Sequence, residues 1–135
     1  MKYKNNPLNI RGKKANTGVG QSGVRKGFCE FSSLEYGVRA AAYLIMMSYR
    51  RAHCTTVRNI IYRWAPPADH NNTESYISFV CSKANLQRST AIDTIKKVAQ
   101  LVWAMGIFEQ GKDEIGSPSF VCEVITRFKL KFRPM

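Results

Sequence analysis

The sequence predicts a mainly α (α+β) single small domain with about five helices and a loop-rich, short-strand N-terminal flank. Its 135 residues fit one compact domain. Apolar residues recur at three-and-four spacing through the segment 32–130, which is typical of amphipathic helices. Residues 1–31 lack that spacing and are polar and basic instead. We therefore expect one domain over 1–135, made of a loop and strand segment followed by a helical body.

The N-terminal flank carries seven basic residues and one acid, Glu30. Its run GKKANTGVGQSGVRKG, residues 12–27, predicts a glycine-rich loop or an irregular hairpin. The run lacks the Gly-Lys-Ser/Thr ending of a phosphate-binding loop. The following GFCEF predicts a short strand or an extended connector.

Capping and breaking residues delimit the helical body. A serine at 32 or 33 suits the first N-cap, Pro66 must end the second helix, and Gly111 stops the fourth. Pro118 suits the first position of the fifth helix, although the RFKLKF that ends this region alternates like a strand. The predicted helices cover residues 32–53, 55–64, 74–84, 89–110 and 118–128.

The charge of the chain indicates a polyanionic partner. Twenty-one Lys and Arg residues against nine Asp and Glu give a net charge of +12. Such a field attracts nucleic acid, anionic lipid or the bacterial cell wall. No apolar run approaches the ~18 residues of a membrane span, and the polar N-terminus lacks a signal peptide. We expect synthesis in the cytoplasm and delivery by another route.

The cysteines predict no metal site. None forms a C-x-x-C pair, and neither histidine completes a zinc spacing. We expect buried thiols, with a disulfide left open, and neither a metal nor a cofactor. The four are Cys29, Cys54, Cys81 and Cys122.

Three blocks of sequence resemble a known family. NNPLNIRG, GFCEFSSLEYGVRAAAYLI and TTVRNIIYRWAPPADHNNTESYISFVC are similar to small phage-type lysozyme-like proteins. These are often labelled virion structural proteins and are related to muramidases and glucosaminidases. Their usual pattern is N-N-P-G-N-I-R, S-P-E-x-G-I-R-A, W-A-P-P-x-E-N-x-T-x-x-Y and a closing E-N-G. The resemblance covers residues 5 to about 111.

This chain departs from the pattern in three places. Leu8 replaces a glycine, the run 69–72 replaces the E-N pair, and E-Q-G at 109–111 replaces E-N-G. The resemblance implies a lysozyme-like fold that cleaves peptidoglycan glycan strands. In glucosaminidase-type relatives the acid lies upstream of the asparagine-rich stretch, so the order here implies a circular permutation.

Glycosidic cleavage needs a protonated carboxylic acid in apolar surroundings, which raise its pKa. Lysozyme is the established example of this arrangement. Glu109 fits best, because it ends an apolar helix, has Phe108 and Trp103 nearby and precedes a glycine. The alternative is a solvated helix-end acid. Glu30 is the candidate second carboxylate, with Asp113 also considered; a sole acid would favour the lytic transglycosylase route.

The polar N-terminal stretch predicts a binding wall. The amides of Asn6 and Asn9 suit N-acetyl groups and sugar hydroxyls, and Arg11 suits a peptide-stem carboxylate. The alternative is that the asparagines only cap turns.

Three aromatic residues, Tyr36, Trp64 and Tyr76, are candidate floors for sugar rings. Trp64, just before Ala65, is favoured as a core anchor at a helix end. Tyr76 is expected to present its hydroxyl to a groove.

The predicted function is peptidoglycan cleavage of phage or prophage type, by muramidase or lytic transglycosylase chemistry with Glu109 as general acid. The alternative is a non-catalytic virion structural or cell-wall-binding protein. The expected partners are peptidoglycan or another anionic wall polymer and other virion proteins, in a virion or the host envelope or periplasm. Nucleic acid ranks lower, because no helix concentrates a recognition face of Arg, Lys and Asn.

Overall fold

The fold is mainly α with one small β-hairpin, as a computed structural model of residues 1–12 and 18–135 shows. The first two of the six α-helices among the described residues are joined by a π-helical turn, Leu44–Ser48, into one continuous helix. The described residues therefore contain five separate α-helical segments. The predicted fold class is confirmed. The helices are α1 (Leu34–Tyr43), α2 (Tyr49–Arg51), α3 (Val57–Trp64), α4 (Thr73–Ala84), α5 (Ile95–Gln110) and α6 (Pro118–Arg127).

The N-terminal flank contains the hairpin. Strands β1 (Gln21–Arg25) and β2 (Phe28–Phe31) pair antiparallel, with an irregularity between Gln21 and Gly23. The turn residues Lys26 and Gly27 have φ of 53° and 82°, the left-handed pair that a two-residue type I′ turn needs. Residues 13–17 of the predicted glycine-rich loop lie outside the described residues.

Side-chain caps start four of the helices. In each, the N-cap oxygen accepts a hydrogen bond from a backbone N–H in the first turn, which satisfies a donor that the helix itself cannot pair. Gly111, at φ 76°, ends α5 as predicted. The caps are Thr56, Asn72, Thr94 and Ser117.

The predicted start of the fourth helix at Ser89 is wrong. Helix α5 begins at Ile95, after the Thr94 cap. Ser89 lies in a turn that the Thr90 N–H closes by donating to Gln87 O. The residues after this turn pair with the chain before α3, where the Ile92 N–H donates to Thr55 O at 2.8 Å. Ile92 is nevertheless buried, so its apolar side chain correctly indicated burial although the residue is not helical.

Helix α5 is central to the core, because it packs against α1, α4 and α6. Four of its apolar side chains, Val98, Leu101, Val102 and Met105, have no exposed surface. Burying each contributes about 1.5–3 kcal/mol. Leu8 is also fully buried in this core, so it anchors the N-terminal segment to the helices.

The cysteines are free thiols, but the prediction that all four are buried is wrong. Only Cys29 is buried, while Cys54, Cys81 and Cys122 are half-buried. Cys81 and Cys122 lie at the margin of the core on α4 and α6. Burial raises the pKa of Cys29 and of Cys81.

Within residues 1–12 and 18–135, no helix combines the length and apolarity needed to cross a membrane. Nor do three or more His, Cys, Asp or Glu side chains gather there at a distance suited to a metal ion.

Candidate active site

Glu109 lies in the last turn of α5 and faces a cavity of about 380 Å³. The N-terminal segment, the π-helical turn and the end of α3 form the other walls. Gly111 turns the chain away directly after the acid. The polar residues of the lining are Lys2, Asn9, Arg11, Tyr49, Asp69, Asn71 and Glu109, and its larger apolar surfaces come from Tyr3, Phe28, Leu44 and Trp64.

Both carboxylate oxygens of Glu109 accept hydrogen bonds. The Asn9 side-chain amide donates to Oε1 at 2.8 Å, and the Tyr76 hydroxyl donates to Oε2 at 2.8 Å. Donors on both oxygens hold the carboxyl group in one orientation at the edge of the cavity. They also stabilise the ionised form that remains after the group gives up its proton.

Burial raises the pKa of Glu109 above the ordinary value for a glutamate. The donors Asn9 and Tyr76, the charge of Lys2 and the indole of Trp64 oppose this increase without cancelling it. The carboxyl therefore keeps its proton to higher pH than an exposed glutamate does. A general acid in a glycosidase needs this property.

The two ends of the resemblance meet at this site. The Gln110 side-chain amide donates to Pro7 O at 2.9 Å and to Asn9 Oδ1 at 3.0 Å. Asn9 adopts a φ of 53°, which asparagine tolerates better than most residues. Gln110 therefore holds the amide oxygen of Asn9, while the amide nitrogen of Asn9 holds the carboxylate of Glu109.

Asn6 does not line the cavity, and the expectation that it contacts a ligand is wrong. Its side chain has no exposed surface. The amide donates to Ile10 O at 3.0 Å and to Cys29 O at 2.8 Å, and its oxygen accepts from the Ile10 N–H at 2.9 Å. Asn6 therefore holds the turn of the N-terminal segment, as the turn-capping alternative expected.

Tyr36 and Tyr76 do not form aromatic floors. Tyr36 packs on Phe128, with ring centroids 5.4 Å apart, and is absent from the cavity lining. Tyr76 is only 2% exposed and stacks on Phe108 at 4.1 Å, so its hydroxyl meets Glu109 instead of an open groove. Burial, with Glu109 second, raises the pKa of Tyr76 well above its usual range, so the hydroxyl stays a donor.

Arg11 and Trp64 both line the cavity, and their expected role in binding substrate stays a prediction. Arg11 is exposed, and its guanidinium lies 4.8 Å from the centre of the Phe28 ring. Trp64 is half-buried, meets Tyr49 edge-on at 5.9 Å and packs on the core. One part of the Trp64 side chain therefore packs on the core and another part lines the cavity.

The second carboxylate expected at Glu30 is not in the cavity lining. Glu30 instead accepts from the Lys4 N–H and pairs with Arg25, each at 3.3 Å. Asp113 is held by the Trp103 indole N–H at 3.0 Å and by the backbone that follows it. The carboxylate that does share the cavity with Glu109 is Asp69, which the sequence reasoning missed.

Other lining residues were missed as well, namely Lys2, Tyr49 and Asn71. Asp69 and Asn71 belong to the A-D-H-N-N turn, where the departure from the E-N pattern was an available signal. Tyr49 gave no such signal, because a helical tyrosine suits the core equally well. It directly follows the π-helical turn, a feature frequent near functional sites, and burial raises its pKa to about 12.

Part of the chain is similar to a bacteriophage protein. The chain is 32% identical over 93 residues to Protein P5 of Pseudoalteromonas phage PM2, and the match covers 66% of this chain. It spans 58% of that protein's length, which is less than two thirds. No protein-family model matches the chain. The chain is therefore similar to a phage protein, while its resemblance to the lysozyme-like family stays a hypothesis.

Proposed function

We propose that this protein cleaves the glycan strands of peptidoglycan, with Glu109 as general acid. The observation that carries the proposal is a carboxyl group with a raised pKa, held by two donors at the edge of a polar cavity. The lysozyme-like resemblance supports this activity, and the similarity to a phage protein supports only the phage-type setting. A phage protein of this activity would act from a virion or in the host envelope.

The chemistry follows from one acid. Glu109 gives its proton to the glycosidic oxygen, the bond to the sugar carbon breaks, and Asn9 and Tyr76 stabilise the new carboxylate. In the transglycosylase route, a hydroxyl of the same sugar then attacks the cationic carbon and returns its proton to Glu109. The product is an anhydro sugar, and no second carboxylate is needed. Hydrolysis would instead use Asp69 to activate a water molecule.

Substrate contacts are proposed for three cavity residues. Asn9 offers the remaining lone pair of its amide oxygen to an N–H or O–H of the sugar, since its amide nitrogen already donates to Glu109. Trp64 offers an aromatic surface to a sugar ring, and Arg11 offers its guanidinium to a substrate carboxylate. The cation–π contact of Arg11 with Phe28 holds the arginine over the cavity.

The decisive test is digestion of purified peptidoglycan by wild type, Glu109→Gln and Glu123→Gln, followed by mass analysis of the products. The glutamine side chain in the first variant keeps the size and one acceptor but has no acidic proton, so we expect the rate to fall about 10²–10⁴-fold. Glu123 is exposed on α6 and outside the cavity, so its variant should retain full activity. Anhydro ends would identify the transglycosylase route, and reducing ends would identify hydrolysis.

The second candidate is a non-catalytic virion structural or wall-binding protein. It is favoured by the bonds that join Glu109 to Asn9 and Tyr76, because such bonds also serve to attach the N-terminal segment to the helices. A wild type that releases no fragments yet sediments with peptidoglycan would establish this function. Full activity of Glu109→Gln would refute the assignment of the acid.

A further inference from the structure

A second feature lies away from the cavity, where the chain continues after α6. Residues 128–133, here called the strap, run along the helix that begins with α1. Phe128 packs on Tyr36 at one end, and at the other the Arg133 N–H donates to Met46 O at 2.9 Å. The Arg50 guanidinium donates to Arg133 O at 3.1 Å and lies 5.1 Å from the centre of the Phe132 ring.

Alternate residues of the strap face opposite ways. Phe128, Leu130 and Phe132 are half-buried and pack against the core, while Lys129 and Lys131 are exposed. The alternation noted in RFKLKF is therefore present in the burial pattern but not as a strand. Phe128 and Lys129 form the turn that ends α6, with Lys129 at φ 55°, and the chain runs on from Leu130 without a strand partner among the described residues. The three apolar side chains hold the backbone against the core, and the two lysines between them are left exposed.

Three arginines extend the charge of the two lysines. Arg127 ends α6, Arg39 of α1 lies 5.7 Å from the Phe128 ring, and Arg50 contacts the other end of the strap. Within residues 1–12 and 18–135, none of these five cations pairs with a carboxylate. None of them lines the cavity. We call Arg39, Arg50, Arg127, Lys129 and Lys131 the cationic strip.

We propose that the cationic strip binds the phosphate backbone of nucleic acid without sequence preference. Duplex DNA carries one negative charge per about 1.7 Å of its axis, so several cations on one part of the surface can meet several phosphates at once. Backbone contact needs no recognition helix, and so the lack of one does not count against it. The site is separate from the proposed glycosidase and does not depend on it.

Nucleic acid suits the strip better than a lipid surface does. Proteins that lie on membranes insert apolar side chains below the headgroups. In the strap the apolar side chains are turned towards the core, and only lysines project outward. A partner that is charged throughout is the better complement to such a surface.

The test measures fluorescence anisotropy of a labelled mixed-sequence DNA duplex of about 20 base pairs between about 50 and 200 mM salt. The strip variant is Lys129→Gln/Lys131→Gln. The control variant is Lys83→Gln/Lys112→Gln, which removes the same charge from two exposed lysines outside the cationic strip. Lys83 is on α4 and Lys112 follows α5, and both lie near the segment 113–114. Neither Lys129 nor Lys131 makes a side-chain hydrogen bond or ion pair within the described residues, so thermal unfolding should confirm an intact fold in the strip variant.

We expect the strip variant to bind at least about tenfold more weakly at 0.1 M salt. Its log–log salt slope should be shallower by about 1.8, or 0.9 for each lost phosphate contact. The control should stay within about twofold of wild type. Equal losses in the two variants would overturn the proposal, because net charge alone would then explain binding. Failure of the wild type to bind DNA, with binding to phosphatidylglycerol vesicles instead, would also overturn it.

Discussion

Replacing Tyr76 with phenylalanine removes one donor from Glu109 and leaves the ring in place. The ring stacks on Phe108 at 4.1 Å, so packing is retained. The lost bond is the 2.8 Å contact from the hydroxyl to Oε2. Because that bond opposes the effect of burial, the pKa of Glu109 should rise further in the variant.

The cost of this substitution should depend on pH. A hydrogen bond to a neutral group contributes about 0.5–1.5 kcal/mol, and one to a charged group about 1.5–3 kcal/mol. In acid, Glu109 is protonated in the folded and the unfolded chain, and the loss should be about 1 kcal/mol. At pH values above the raised pKa the carboxylate is charged, and the loss should be about 2 kcal/mol.

The sign follows from proton linkage. The folded chain holds the Glu109 proton to higher pH than the unfolded chain does, because burial raises the pKa from the ordinary 4.5. The contribution of Glu109 to wild-type stability therefore falls as pH rises from that value through the raised pKa, and it should fall further in Tyr76→Phe. If the variant is also active on peptidoglycan, the alkaline limb of its pH–rate profile should move upward.

Urea unfolding at about pH 3.5 and about pH 9 measures the effect, since the other acids cancel between wild type and variant. Tyr36→Phe is the control, because no carboxylate among the described residues contacts its hydroxyl, and its cost should not change with pH. A Tyr76→Phe cost that is equal at both values, or larger in acid, would refute the assigned role of this hydroxyl.

Three other substitutions have definite outcomes. Glu109→Gln removes a carboxylate that burial disfavours when charged, so its stability relative to wild type should improve as pH rises from 4.5, as urea unfolding at several pH values would show. Gly37→Ala would bring a Cβ within 1.9 Å of Asn5 O, and we expect a loss of about 2–4 kcal/mol in thermal unfolding, whereas Gly23→Ala meets nothing within 4 Å and should cost far less. Asn6→Ala leaves buried backbone groups without hydrogen-bond partners, so the free energy of unfolding should fall by about 2–4 kcal/mol. Glycan binding by the folded fraction should be unchanged, and weaker binding would show that Asn6 does contact the ligand.

The helices were predictable because their signals are local. The stripe of Val38, Ala41 and Ile45 is buried as its spacing indicates, and the Ser117 cap lies beside the proline that follows it. The false start of the fourth helix has a non-local cause. Ile92 pairs with the chain before α3, and nothing in its own neighbourhood records that partner.

The site was predictable in the same uneven way. Glu109 was identified from an apolar helix end and a following glycine, both visible in a few letters. Asn6 and Asn9 look alike in sequence, and only the turn between them sends one inward and the other to the acid. Only tertiary contacts decide which of Asp69 and Glu30 lies at the site. Glu30 forms an ion pair with Arg25, while Asp69 lines the cavity.

The strongest objection to a catalytic Glu109 is that both of its oxygens already hold donors. A carboxylate offers about four lone-pair positions, and Asn9 and Tyr76 use two of them. Each oxygen therefore retains a position for a proton at the edge of the cavity. A purely structural carboxylate would also gain from being charged, yet burial raises the pKa of Glu109 and disfavours that form. If Glu109→Gln gains relative stability with rising pH and loses turnover, the group is maintained at a cost to folding, which is typical of a catalytic acid and not of an attachment point.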